Sequence, residues 1–113
     1  MSGEDIRQGD IYWVAHPSRT PHGSEISKTR PAIILSRTKT NAIRKTVIVV
    51  PLTHGQKESP PIVILVASAG PDSRAVCDQV SAVDKARLGN KIGSLTSHEL
   101  SYLKQCLRKL MDL

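Results

Sequence analysis

The sequence predicts a mainly β fold with one C-terminal helix, built as a small barrel or half-barrel. Three observations carry this reading. Short β-branched runs recur at residues 10–15, 32–36, 46–52, 62–66 and 74–80, each bounded by Pro, Gly or polar clusters. The chain has no Phe, one Trp and two Tyr, so its core has to be built from Val, Ile, Leu and Ala, which suits short strands. From Leu95 onward the period changes to leucines spaced three and four apart. Several short strands within 113 residues, with one helix behind them, suggest a partly or fully closed barrel.

The first run, Asp10-Ile11-Tyr12-Trp13-Val14-Ala15, leads into a polar stretch, residues 16–29, that contains Pro17, Pro21 and Gly23 and reads as a mobile, exposed loop. The second run is entered through Arg30-Pro31. A residue before proline is pushed toward extended geometry, so Arg30 belongs at the start of that strand, directly after the loop. The third run ends at Leu52, and Thr53 stands just before the His54-Gly55 turn, which puts a hydroxyl at a strand end. Residues 54–61, with Gly55 and Pro60-Pro61, form the second exposed loop. The helix starts after Thr96: Thr96 and Glu99 make a capping box, and Leu95 and Leu100 a hydrophobic staple. Leu100, Leu103, Leu107, Leu110 and Met111 then share one stripe expected in the core, with Lys104, Arg108 and Lys109 opposite it. No repeat, low-complexity tract or linker interrupts the chain, so residues 1–113 read as one domain.

The formal charge of +6 is unevenly distributed. Between residues 16 and 57 stand eight basic residues (Arg19, Lys28, Arg30, Arg37, Lys39, Arg44, Lys45, Lys57) and one acid, Glu25, while eight basic residues and nine acids make up the rest. A stretch of formal +7 points to a polyanion partner. Cys77 and Cys106 lie in apolar contexts without metal spacing and read as reduced core residues. The start of the chain is acidic and polar, and no segment approaches the ~20 apolar residues of a membrane span, so the expected location is cytoplasmic, with no membrane partner.

Much familiar chemistry lacks its residues. His16, His22, His54 and His98 are scattered without zinc spacing, and there is no phosphate-binding glycine loop, serine elbow or Cys-His signature. What remains is a guanidinium, Arg30, and a hydroxyl, Thr53, at strand ends in the basic half. Such a pair can hold a phosphate. RNA supplies its own nucleophile, the ribose hydroxyl, so a protein that cuts it needs only orientation, a fixed cation, donors for the developing charge and some proton transfer. Arg suits the cation role because its planar fork grips two phosphate oxygens. Read on residues alone, a surface salt bridge from Arg30 to Glu25 stays open beside this.

At these residues the chain resembles the MazF and PemK family of toxins, over most of its length. Gly9-Asp10-Ile11-Tyr12-Trp13 is similar to the family's first strand, and Gly23-Ser24-Glu25-Ile26-Ser27-Lys28-Thr29-Arg30-Pro31 to its loop signature. Val50-Pro51-Leu52-Thr53, Cys77-Asp78-Gln79-Val80, Val83-Asp84-Lys85-Ala86-Arg87-Leu88 and Lys91-Ile92-Gly93 follow in family order. The resemblance implies an SH3-like barrel of the CcdB/PemK/MazF-like toxin fold and a homodimer with RNA along its interface. It implies sequence-selective cutting of single-stranded messenger RNA without metal or other cofactor, a cognate antitoxin, and operator DNA bound only as a complex with that antitoxin. Residue by residue, Arg30 and Thr53 match the catalytic Arg and Thr, and Ser24 matches a loop position that helps bind substrate. Lys28, Glu25, His54, Asp78 and Gln79 fall where RNA would be contacted, with Arg37, Lys39, Arg44 and Lys45 as a general electrostatic track. Tyr12, Trp13 and Tyr102 are the chain's aromatic side chains, and burial of the first two would leave base recognition to hydrogen bonds.

Two departures sharpen the reading. PemK-like members carry His where this chain has Ser24 and Arg where it has Val76, and only Asp78 of that acid and base trio survives. The family's frequent Arg-Thr after the Gln-Val step is Ser81-Ala82 here. The MazF-like arrangement follows: Arg30 binds the scissile phosphate and shares in proton transfer, while Thr53 donates to the transition state. Two other functions fit the same fold, a CcdB-like gyrase-inhibiting toxin and a non-catalytic nucleic-acid-binding domain. The first depends on a Trp near the C-terminus, and Lys109-Leu110-Met111-Asp112-Leu113 has none.

Overall fold

One strand, Thr46–His54, organises the computed structural model, which describes residues 5–15 and 29–113. In chain order the elements are β1 (Asp10–Ala15), β2 (Thr29–Ile34), α1 (Thr38–Ile43), β3 (Thr46–His54), β4 (Val63–Leu65), β5 (Ser73–Val76), β6 (Ser81–Asp84), β7 (Leu88–Ser94) and α2 (Ser97–Met111). Short 3-10 turns stand at Ala67–Ala69, Cys77–Gln79 and Lys85–Arg87. The sheet runs β4-β5-β3-β2-β1-β7, with β6 also paired to β3, and every pairing is antiparallel. Its path is open, so the expected barrel is a curved, barrel-like sheet with β4 and β7 at its ends.

β3 is a near-continuous apolar run because both its faces are covered. Val50 and Leu52 join Ile11, Ile33, Ile64, Ala75 and Cys77 in a core roofed by Leu103, Cys106 and Leu107 of α2. Val47 and Val49 point the other way, to Val14, Ala32, Ile34 and Val83, with Ile6, Tyr12 and Leu88 packed alongside. One edge of β3 pairs with β2; the other pairs first with β6 and then with β5. Thr46 faces Asp84 and Val49 faces Ser81, but Leu52 faces Ala75, so the register jumps by three residues between the two ladders. Cys77–Gln79 takes up that excess as one 3-10 turn. This is why the run expected at residues 74–80 breaks at Val76: the side chains still alternate, but the backbone has three residues more than β3 can pair.

β1 spans the residues the sequence predicts, while β2 begins earlier, at Thr29, and β3 runs on to His54. α1, β6 and β7 were not legible. α1 has only six residues, and β7, Leu-Gly-Asn-Lys-Ile-Gly-Ser, lies largely exposed and shows no alternation. The capping box forms as expected: Thr96 Oγ1 accepts from Glu99 N at 3.1 Å and Glu99 Oε1 accepts from Thr96 N at 2.8 Å. Partial burial pushes the Glu99 carboxyl up, but hydrogen bonds from Ser68 and Thr96 outweigh it and hold it below the ordinary glutamate value. Along the helix Leu103 and Leu107 are buried and Leu100 and Leu110 half-buried, but Met111, expected in the stripe, is 43 % exposed as the last residue of the helix. Cys77 and Cys106 are both free and buried. Burial, with Cys106 and Asp78 nearby, pushes the Cys77 thiol up to about 12, which leaves it protonated and unreactive.

The buried polar residue that ties the N-terminal end of the sheet together is Asn41, 1 % exposed. Its amide donates to the carbonyls of Ile6 (2.8 Å) and Ser36 (3.1 Å), and its Oδ1 accepts from Ser36 Oγ. Removing this side chain takes the donor from two partly buried carbonyls, which costs free energy. Asn41→Ala should therefore destabilise the fold by about 2–3 kcal/mol, against about 1 kcal/mol for loss of the helix cap in Thr96→Ala. Urea denaturation of the two variants measures both.

Candidate active site

Strand register brings Arg30 and Thr53 to the same end of the sheet, where both line the same two cavities. Ala32 pairs with Pro51, Ile33 with Val50 and Ile34 with Val49. Carried two residues further, the same antiparallel alignment sets Arg30 of β2 opposite Thr53 of β3. The β2–β3 ladder itself stops at Ala32 and Pro51. Pro31 and Pro51 have no N–H to donate, so at this end the strands lie side by side without closing against each other, and space opens between the layers.

Two cavities occupy that end, and four residues line both: Arg30, Pro31, Leu52 and Thr53. The first, about 340 Å³, has an apolar floor that includes Val14, Ala32, Val49, Val76 and Val83, and a polar rim of Arg30, Thr53, Gln56, Gln79, Ser81 and Arg87. The second, about 540 Å³, adds Trp13, Thr29 and His54. By strand alternation the two open on opposite faces of the sheet. Arg30 is exposed and Thr53 half-buried, so a guanidinium and a hydroxyl stand at the shared wall of both spaces. Among the described residues neither cavity has an Asp or Glu in its lining, so the lining side chains that carry charge there are basic, Arg30 and Arg87 in the first and Arg30 in the second.

The residues singled out in the sequence are only partly gathered here. Gln79 lines the first cavity and His54 the second. Asp78, exposed on the Cys77–Gln79 turn, lines neither. Ser24, Glu25 and Lys28 lie outside the described residues, as does most of the loop expected at 16–29. Arg37, Lys39, Arg44 and Lys45 are all exposed, but they flank α1 at the far end of β3, roughly 20 Å along the strand from Thr53. The charge that is contiguous in sequence is thus divided in space between two ends of the sheet. Trp13 corrects a second expectation. It is 40 % exposed and lines the second cavity, because it falls on the alternate face from Val14, so a flat aromatic surface is available beside Arg30.

Three residues of this neighbourhood escaped sequence reading. Gln56 sits in a loop with no pattern to mark it. Arg87 ends the Lys85–Arg87 turn, and Arg74 of β5 is the register partner of Thr53. The Arg74 side chain is 19 % exposed, with Asp72 at 3.6 Å, and its Nε and Nη1 are buried without a hydrogen bond among the described residues. Their signal in sequence was only the alternation of β5 and the basic residue before Leu88. Among the described residues no three His, Cys, Asp or Glu side chains converge as metal ligands would.

Residues 7–111 match the family described as PemK-like, MazF-like toxin of type II toxin–antitoxin system. The chain is 30 % identical to the endoribonuclease MazF9 of Mycobacterium tuberculosis over 118 aligned positions, covering 96 % of this chain and 98 % of that protein. Its fold is similar to that of a MazE–MazF complex from Deinococcus radiodurans (TM-score 0.79, 17 % identity, 95 % and 96 % of the two chains). It is also similar to an endoribonuclease solved with its cognate antitoxin from a mycobacterial species (TM-score 0.74, 18 % identity, 97 % and 96 %).

Exposed side chains at the open end of the sheet contribute little to the core. Arg30→Ala and His54→Ala should hold their unfolding free energy within about 0.5 kcal/mol of the parent, whereas Leu52→Ala, one position from Thr53 but 3 % exposed, should lose about 2–5 kcal/mol. Denaturant midpoints at constant slope check this.

Proposed function

The chain belongs to the PemK-like, MazF-like toxins of type II toxin–antitoxin systems and is an endoribonuclease toxin of that family; from this premise we propose how its own residues cut RNA. The observation that supports the proposal is that Arg30 and Thr53, aligned by the β2–β3 register, both line two cavities at the same end of the sheet. A single strand of messenger RNA lies across that wall with its scissile phosphate on Arg30. The 2′-oxygen attacks the adjacent phosphorus and gives its proton to solvent water, the bond from phosphorus to the 5′-oxygen breaks, and that oxygen takes a proton from water, leaving a 2′,3′-cyclic phosphate and a 5′-hydroxyl. The phosphorane between carries extra negative charge, which the two-pronged guanidinium and the Thr53 hydroxyl stabilise. An arginine side chain stays charged at neutral pH and exchanges protons poorly, so the weight of its contribution is electrostatic. No metal or cofactor takes part.

Substrate contacts follow from the lining. Trp13 offers a stacking surface in the second cavity, where His54 also stands. Gln79 and Gln56 present amides to base edges over the apolar floor of the first. Ser24, Glu25, Lys28 and Asp78 supply further contacts to the RNA. The acting form is a homodimer, whose interface would use exposed apolar side chains such as Ile48, Ile62 and Leu65. A cognate antitoxin of acidic and apolar character competes with RNA for this basic surface, and operator DNA is bound only by that complex. The site of action is the cytoplasm. Family membership sets aside the gyrase-poison alternative.

Arg30→Ala should lower single-turnover cutting of a mixed-sequence RNA by about 100- to 1,000-fold, and Thr53→Ala nearly as much. Arg30→Lys should fail largely too, since a point charge does not reproduce the fork. Cutting should persist in EDTA, and RNA affinity should fall steeply as salt rises. Near-parent cutting by folded Arg30→Ala protein would remove Arg30 from the mechanism, and loss of cutting in EDTA would overturn the metal-free scheme.

A further inference from the structure

The cavity of about 340 Å³ holds a second guanidinium, Arg87, that the reaction above does not use. Arg87 belongs to neither β2 nor β3. It closes the Lys85–Arg87 turn, whose first residue is itself fixed by Lys85 Nζ donating to the carbonyl of Asn41 at 2.6 Å. Arg87 Nε donates to the carbonyl of Ala15 at 2.7 Å, so the guanidinium is pinned to the end of β1. That bond uses one of its five N–H donors. Among the described residues Arg87 is in no ion pair, and no Asp or Glu lines the cavity it shares with Arg30. A half-buried cation held in place by its Nε, with two terminal nitrogens that meet no acceptor among the described residues, is preorganised for an anion and loses little freedom on binding one.

We infer that Arg87 is a second phosphate clamp: while Arg30 holds the scissile phosphate, Arg87 grips a neighbouring phosphate of the same strand and so sets the register in which RNA lies over Thr53. This rests on the ribonuclease reading above. Two cations on one small cavity match a strand that repeats one charge per nucleotide, and Gln79 and Ser81 in the same lining fit the base between. Arg87 is a positioning residue; the reacting atoms are met by Arg30 and Thr53.

The test uses an oligonucleotide with one cut site, made resistant by a 2′-deoxy sugar at that site, with a neutral methylphosphonate placed in turn at each linkage flanking the cut. Parent protein should lose about 10- to 30-fold in affinity when one particular neighbouring linkage is neutral. Arg87→Gln should bind the all-phosphate strand about 10- to 30-fold more weakly, ignore neutralisation of that linkage, and lower the slope of log affinity against log salt by about 0.7. On cuttable RNA it should also scatter the cut over adjacent positions, which a purely structural defect would not do. Arg87→Lys keeps a donor for Ala15 and should recover the slope. Parent protein indifferent to every flanking methylphosphonate would overturn the clamp, with no demand on the variant's folding. So would Arg87→Gln with parent affinity for RNA but weakened inhibition by an acidic partner peptide, which would assign Arg87 to a protein contact. If parent protein cuts no RNA, it is the ribonuclease reading that fails.

Discussion

Everything at the site depends on one constraint: β3 must pair along both edges while burying both faces. On one edge it meets β2 in a register that brings Arg30 to Thr53. On the other it meets β6 and β5 in registers three residues apart, and the surplus is expelled as the Cys77–Gln79 turn. A one-residue slip of β3 would turn Val47, Val49 and Thr53 to the helix side and break both cores at once. The register is therefore held by the apolar packing, and the site inherits its geometry from it.

The open end of the sheet is a consequence of the same packing. Pro31 and Pro51 cost β2 and β3 their N–H donors where the apolar layers thin out, and the space so left is bounded by backbone that is already fixed. A guanidinium and a hydroxyl placed there need little reorganisation to meet a phosphate, which is the condition under which fixed dipoles and charges lower a barrier most.

The strand at Asp10–Ala15, the start of β3, the capping box at Thr96 and the buried leucines of α2 were legible because each obeys a local rule of alternation, propensity or capping. The turn at Cys77–Gln79 was not, since a register mismatch between two ladders belongs to no single segment. Arg30 and Thr53 could be picked out as strand-end residues, but their apposition needed the β2–β3 alignment. Arg87 stands in a segment similar to the family's, but nothing local points it at the site; a hydrogen bond to Ala15, 72 positions away, fixes it there. The basic stretch is divided for the reverse reason: α1 carries Arg37, Lys39, Arg44 and Lys45 away from the end of β3 that bears Thr53. Net charge along a chain says that a polyanion is met, and the path of the backbone decides where.

The central claim is that Arg30 and Thr53 act as one unit on the same phosphorane. A double-mutant cycle on single-turnover RNA cutting, with Arg30→Ala, Thr53→Ala and the pair together, tests it most directly. Residues that stabilise one transition state jointly give strongly non-additive losses, so the double variant should be scarcely slower than the worse single variant. Losses that simply multiply, with each residue contributing whether or not the other is present, would contradict the account.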